Sequence, residues 1–238
     1  MPFAGIMQLA SFLSLALLLG KESQVGKIAK PLVLFFVLGT FLGLIFAAER
    51  SAWLGMAFGL MAICLKISRK AFLAGLVVLV LGAGLGYLFV PVVKQRCQSL
   101  LNGEKDASIT ARQVIWQKAI DTFKEHPLLG VGPRKFPVVV MPEATQMMES
   151  KDLNHGHSNY MHILATCGLL GILAFLYLLF VSLRQLFLSA ADDSINLGLF
   201  AALISLSVAG IFEYNFGTGI VRLAQWFCLG LYRPKSNS

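Results

Sequence analysis

The stretch His155-Gly156-His157-Ser158-Asn159-Tyr160 holds the residues of this chain best suited to chemistry. A histidine takes or gives a proton near neutral pH, so His157 can activate a hydroxyl as a general base. It closes a long polar segment and immediately precedes an apolar run, which places it where water meets lipid. A substrate that is itself half in a membrane would meet it there. Asn159 lies four residues after His155 and Tyr160 three after His157, so all four face one cavity if the following helix begins early. Polar helix caps at a membrane entry are the plainer role for the same residues.

Four arginines carry the complementary charge. Arg50 sits at the end of an apolar run, in a turn too short to leave the interface. An ionisable group there is costly unless paired or functional. Its planar fork suits bidentate phosphate binding; snorkelling, or a local pair with Glu49, is the alternative. Arg222 lies about a turn inside the last apolar run, with Glu213 as its alternative partner. Arg112 and Arg134 flank an amphipathic stretch and add positive charge to an outward-facing pocket, although each taken alone reads as solvated surface. His155 and His157 with Asp152 or Glu149 lack the defined ligand set of a metal site. Gly130-Val131-Gly132-Pro133 lacks the lysine and strand–helix context of a phosphate loop, and there is no serine nucleophile elbow.

The elements that must position these residues are membrane helices. The chain has 238 residues, 57% hydrophobic and only 13% charged, with repeated apolar runs of roughly the 17–25 residues that a bilayer requires of a helix. No alternating pattern of a membrane barrel is present. The expected fold is all-α, a polytopic helical membrane protein with about seven spans, at 3–20, 31–48, 51–65, 71–93, 160–183, 195–212 and 217–232. Residues 1–93 then form four spans, 94–159 one long loop, and 160–238 three more spans. Cys64, Cys167 and Cys228 fall in apolar runs and Cys97 in the polar loop, where packing accounts for them.

The formal charge of +8 is a topology signal here and not a nucleic-acid surface. Lys21, Lys27, Lys30, Lys66, Arg69, Lys70, Arg184, Arg233 and Lys235 fall in alternate loops, which the positive-inside rule places in the cytoplasm. The 94–159 loop, with nine basic and seven acidic residues, then faces outward and carries His157 with it. Met1 would also lie outside with no cleavable signal before it, as expected of a fragment that lacks earlier spans, with a genuine outside N-terminus as the alternative. Within the loop, 111–124 places Val114, Ile115, Ala119, Ile120 and Phe123 near helical spacing, an amphipathic helix suited to a membrane surface. His126-Pro127 ends it, and the methionine-rich 138–151 reads as a flap.

Five short motifs follow in order: Arg112 with Trp116 and Ala119; His126-Pro127-Leu128-Leu129-Gly130-Val131-Gly132; His155 to Tyr160; Gly168-Leu169-Leu170-Gly171; and Phe212-Glu213-Tyr214-Asn215 with Trp226 beyond it. In this order the chain resembles the O-antigen ligase and polymerase superfamily, from about Arg50 to its end. The resemblance implies a membrane glycosyltransferase of the GT-C type on the periplasmic side of a bacterial inner membrane. Its donor would be a glycan on undecaprenyl pyrophosphate. Its acceptor would be lipid A–core oligosaccharide in a ligase, or another lipid-linked repeat in a polymerase. His157 would be the base or orienting group, and Arg50 and Arg112 the pyrophosphate clamp, with Arg222 a further candidate. His155, Asn159, Tyr160 and Arg134 would be substrate contacts. No metal or other cofactor is implied.

The chain departs from the family pattern at Thr166-Cys167, where an acidic residue is common, and in the basic Gly132-Pro133-Arg134-Lys135-Phe136. Members of the superfamily commonly have about a dozen spans, so half of a donor tunnel would lie outside this chain. Ligation in lipopolysaccharide biosynthesis is the leading expectation. A polymerase or a protein O-oligosaccharyltransferase with the same donor is the near alternative. A membrane anion transporter lined by Arg50 and Arg222, or an inactive fragment, is the distant one; no broken helix of the transporter type is evident.

Overall fold

The computed structural model describes residues 2–20, 30–101, 107–133, 135, 155–191 and 193–234. Among these residues the regular structure is all helical: α1 (Pro2–Leu19), α2 (Lys30–Phe46), α3 (Arg50–Ile67), α4 (Arg69–Phe89), α5 (Pro91–Leu101), α6 (Ala107–Glu125), α7 (Asn159–Ser189), α8 (Ser194–Ala209) and α9 (Gly219–Gly230). α3, α4 and α7 are long and apolar enough to cross a bilayer, and α1, α2 and α8 are shorter apolar helices. The run 217–232, expected as a seventh span, forms the 12-residue α9. That length rises about 18 Å, against roughly 30 Å of hydrocarbon. The flap at 138–151 and Arg134 lie outside the described residues.

Local chemistry sets the boundaries. Ser68 Oγ accepts from the Ala71 amide, Ser158 Oγ from Met161 and Asp193 Oδ1 from Asn196, capping α4, α7 and α8. Pro91 opens α5, where its missing N–H would have had no helical partner.

The bundle is assembled by close approach of small residues, as membrane helices require when lipid is as apolar as a leucine. A Cβ on Gly55 would fall 2.3 Å from the Ser205 carbonyl oxygen, one on Gly59 2.8 Å from that of Ala201, and one on Gly198 2.7 Å from that of Phe12. These contacts run α8 antiparallel to both α3 and α1. Buried Gln8 ties the three together, donating to the Ala52 carbonyl at 3.2 Å and to Ser205 Oγ at 2.8 Å. Leu199, Leu206, Phe12 and Val221 fill the centre, while α4 buries no residue and turns Val77, Val78, Leu81 and Leu85 outward.

α7 is broken. Gly168 leaves the helical region at φ 64, ψ −159, and the turn after α6 docks on the break by main-chain bonds. The amides of Leu169 and Leu170 donate to the carbonyls of Pro127 and Leu128 at 2.8 and 3.3 Å. Those of Val131 and Gly132 donate to Ala165 and Thr166 at 3.1 and 2.8 Å. A helix break in apolar surroundings must have its freed polar groups satisfied, and this turn satisfies them. α6 thereby packs along α7, burying Ala111, Ile115, Ala119 and Thr122. Of the expected apolar face, Ile115 and Ala119 are buried and Val114, Ile120 and Phe123 half-buried.

Candidate functional site

One end of the bundle gathers the N-termini of α3 and α7, the length of α6, and the 211–218 turn that follows α8. Ser158 caps α7, and the Asn159 amide donates to the Gly210 carbonyl at 2.8 Å. The turn that carries His157 is therefore fixed to the end of α8. Within it His157 has φ 43, a left-handed conformation rare outside glycine. Its amide donates to His155 Nδ1 at 3.3 Å, and the two imidazoles lie 4.4 Å apart. Tyr214 packs its ring 5.4 Å from His155 and 3.9 Å from His162. Burial raises the Tyr214 phenol, and the charge of Arg222 opposes that rise.

Beside the turn is a cavity of about 290 Å³, lined by Arg50, Ser51 and Leu54 of α3, Ile109, Arg112, Gln113 and Trp116 of α6, and Phe212. Residues 109, 112, 113 and 116 share one helical face. Arg112 Nη2 bonds Glu213 Oε1 at 2.7 Å, with both side chains largely out of solvent. Its buried Nε has no hydrogen-bond partner among the described residues. Glu49, just before α3, is held above the ordinary carboxylate range by burial, with Glu213 pushing the same way and Arg112 opposing. The cavity thus carries one guanidinium from each of two helices, Arg50 and Arg112, beside polar Ser51 and Gln113 and the apolar Leu54, Ile109, Trp116 and Phe212, a lining suited to an anion with an apolar attachment.

Trp116 joins cavity to turn. Its ring lines the cavity beside Phe212, at 6.1 Å between centroids. Its indole N–H donates to the Gly156 carbonyl at 3.0 Å, one residue before His157.

The structure therefore places Arg50 and Arg112 in the cavity wall, and His155 and His157 on the turn that Trp116 joins to it. Arg222 lies exposed on α9, near Tyr214 but outside the cavity wall. Asn159 is buried, with Nδ2 donating to Asn215 Oδ1 at 2.6 Å and Oδ1 accepting from the Phe216 amide at 3.0 Å. Tyr160 turns to α8, donating to the Ser207 carbonyl at 3.0 Å. Both thus lock α7 to its neighbours. His162 enters as a member of the site that chemistry-bearing spacing did not single out, and Glu213, expected as a partner for Arg222, is paired with Arg112 in the turn that also carries Tyr214. The one signal for His162 was a titratable residue inside an apolar run. Among the described residues no three or more His, Cys, Asp or Glu side chains form a group able to hold a metal ion, and Glu149 and Asp152 lie outside those residues.

With this geometry in place, the likeness to known proteins is informative. The O-antigen ligase family model matches residues 32–176, a stretch that holds Arg50, Arg112, Trp116 and His157. The chain is also 26% identical, over 193 residues, to the exopolysaccharide production protein ExoQ of Rhizobium meliloti (strain 1021); the match covers 65% of this chain and 44% of that relative. The chain thus spans less than half the length of this relative.

Proposed function

The chain belongs to the O-antigen ligase family, and from that premise we propose that it transfers a glycan from undecaprenyl pyrophosphate to an acceptor hydroxyl, with its site at the periplasmic face of a bacterial inner membrane. The observation that carries this reading is Trp116, which lines the arginine cavity and bonds the peptide next to His157. Pyrophosphate site and proton acceptor are then parts of one framework.

In this mechanism Arg50 and Arg112 hold the pyrophosphate in the cavity, with Arg222 meeting the donor from α9. His157 takes the proton of the acceptor hydroxyl as its oxygen attacks the anomeric carbon. The bond from that carbon to the phosphate oxygen breaks, its electron pair leaves with the pyrophosphate, and the anomeric configuration inverts. The guanidinium groups stabilise the charge growing on the leaving group without a metal. A positioned base contributes on the order of 10²–10⁴-fold. His155 orients His157 through the bond to its amide. Arg134 is a further substrate contact in this reading.

The membrane placement follows the same logic. The end of α3, α4 and α7 opposite the site carries Lys66, Arg69, Lys70 and Arg184, and Arg233 bonds Asp193 beside it. A cytoplasmic location for that end accords with the positive-inside rule.

Ligation to lipid A–core oligosaccharide is the leading reaction. Growth of a polysaccharide on a second lipid-linked glycan is the other, favoured by the name of the relative in exopolysaccharide production. Transfer in vitro from undecaprenyl-pyrophosphate glycan to each purified acceptor, with wild type and His157→Ala, tests both. Product on one acceptor chooses between them. Equal transfer by the two proteins would remove His157 from the mechanism.

A further inference from the structure

We propose that Trp116 and His162 are positioning residues for His157, acting through Gly156, whose carbonyl and amide they hold. The proposal rests on the glycosyl-transfer reading for its catalytic consequence, though not for its geometry. The Gly156 carbonyl accepts from Trp116 Nε1 of α6 at 3.0 Å, and the Gly156 amide donates to His162 Nδ1 of α7 at 3.4 Å. The next amide, that of His157, donates to His155 Nδ1. Three successive polar groups of the main chain are thus each bonded to a ring nitrogen.

This arrangement explains why a histidine persists at φ 43. A left-handed non-glycine residue survives only where its surroundings over-determine it. It also makes Gly156 a close fit against the first turn of α7. A Cβ there would fall 3.1 Å from the His162 amide nitrogen and 3.2 Å from its Cα. Because His162 accepts through Nδ1, a neutral ring must carry its proton on Nε2. That tautomer belongs to a group that holds a peptide, while His157 remains the one that meets the acceptor. Buried at 5% exposure and stacked on Tyr214, His162 has little freedom to do otherwise.

The test uses the full chain in detergent with three variants. Trp116→Phe keeps an aromatic ring in the cavity and removes only the N–H. His162→Leu removes the acceptor, and His162→Asn restores one near the Nδ1 position. Trp116→Phe and His162→Leu should each lower kcat by up to about 10²-fold while KM for the donor stays within about twofold, and His162→Asn should recover most of the loss. An unchanged kcat, or a parallel loss of kcat and of binding of undecaprenyl pyrophosphate by Trp116→Phe, would overturn the proposal, the latter making Trp116 a cavity wall only. A readout independent of turnover is the imidazole NMR signal of His157 in protein labelled with ¹⁵N-histidine, assigned by His157→Ala. Its displacement in Trp116→Phe at unchanged thermal stability supports the positioning role, and an unmoved signal refutes it. A wild-type chain that binds no undecaprenyl pyrophosphate and transfers no glycan counts against the functional reading, while the NMR result still decides the geometry.

Discussion

Arg112 on α6 and Glu213 after α8 meet at 2.7 Å across 101 positions of sequence, so a cavity-lining guanidinium is anchored to the turn that also carries Tyr214. Their side chains are 23% and 15% exposed, between the surface pairs that contribute little and the buried pairs whose breakage is severe. Glu213→Ala should therefore cost roughly 1–3 kcal/mol in thermal unfolding. The two partners should separate in donor binding. Glu213→Gln leaves Arg112 less neutralised and should tighten undecaprenyl pyrophosphate, while Arg112→Ala should weaken it about tenfold, the factor carried by about 1.4 kcal/mol. Titration of the lipid pyrophosphate against each variant checks this. Weaker binding in both would make Glu213 an orienting partner and refute the charge argument.

His157 offers a case in which stability and activity part company. At φ 43, alanine bears the left-handed penalty and lacks the ring contact with His155, whereas glycine bears no such penalty. His157→Gly should be more stable than His157→Ala by roughly 1 kcal/mol, and both should be inactive. Calorimetry of the pair beside a transfer assay checks it. Equal unfolding temperatures would mean that the turn relaxes once the imidazole is gone.

The sequence made the apolar helices and the polar turn that carries His157 legible because their signals are local: runs of apolar residues, a serine cap, a histidine at a polarity boundary. Arg50 and Arg112 were readable as cations, but their shared cavity depends on α6 packing along α7. That packing depends in turn on a helix break at Gly168, which no hydropathy pattern marks. His162 was lost inside an apolar run for the same reason. Asn159 and Tyr160 looked like substrate groups until Asn215, Phe216 and Ser207 were seen to engage them. Such partners lie about fifty residues away and leave no trace in spacing.

Gly130 and Gly132 separate backbone strain from steric exclusion. Both have positive φ, 64 and 93, yet a Cβ on Gly130 would meet the Thr166 carbonyl carbon at 2.4 Å, while one on Gly132 meets nothing within 4 Å. Gly132→Ala should cost on the order of 1 kcal/mol. Gly130→Ala should cost at least about 2 kcal/mol more, because main chain must move. It should also expose the turn after α6 to protease. Similar losses at both positions would show that the docking on α7 is loose.

Small residues in the bundle should obey the same rule. Gly55→Ala forces a Cβ to within 2.3 Å of the Ser205 carbonyl oxygen, whereas a Cβ on Gly84 of α4 meets nothing. The first should destabilise by about 2 kcal/mol or more. The second should stabilise by up to about 1 kcal/mol through helix propensity. Thermal unfolding of both variants in one detergent checks the contrast, and loss in Gly84→Ala would point to a partner helix against α4.

Glu49 gives the stability of this end of the bundle a pH dependence of definite sign. Burial, with help from Glu213 and against Arg112, raises its carboxyl above the ordinary 4.5. The folded state then binds the proton more tightly than the unfolded one. The resulting stabilisation is complete below pH 4.5 and is lost as pH rises through the raised value. The unfolding temperature should accordingly fall over that window, and Glu49→Gln should flatten the fall. The neighbours supply the cross-check: Glu213→Gln should move the window down, and Arg112→Ala should move it up. Parallel pH profiles for wild type and Glu49→Gln would assign the dependence to another group.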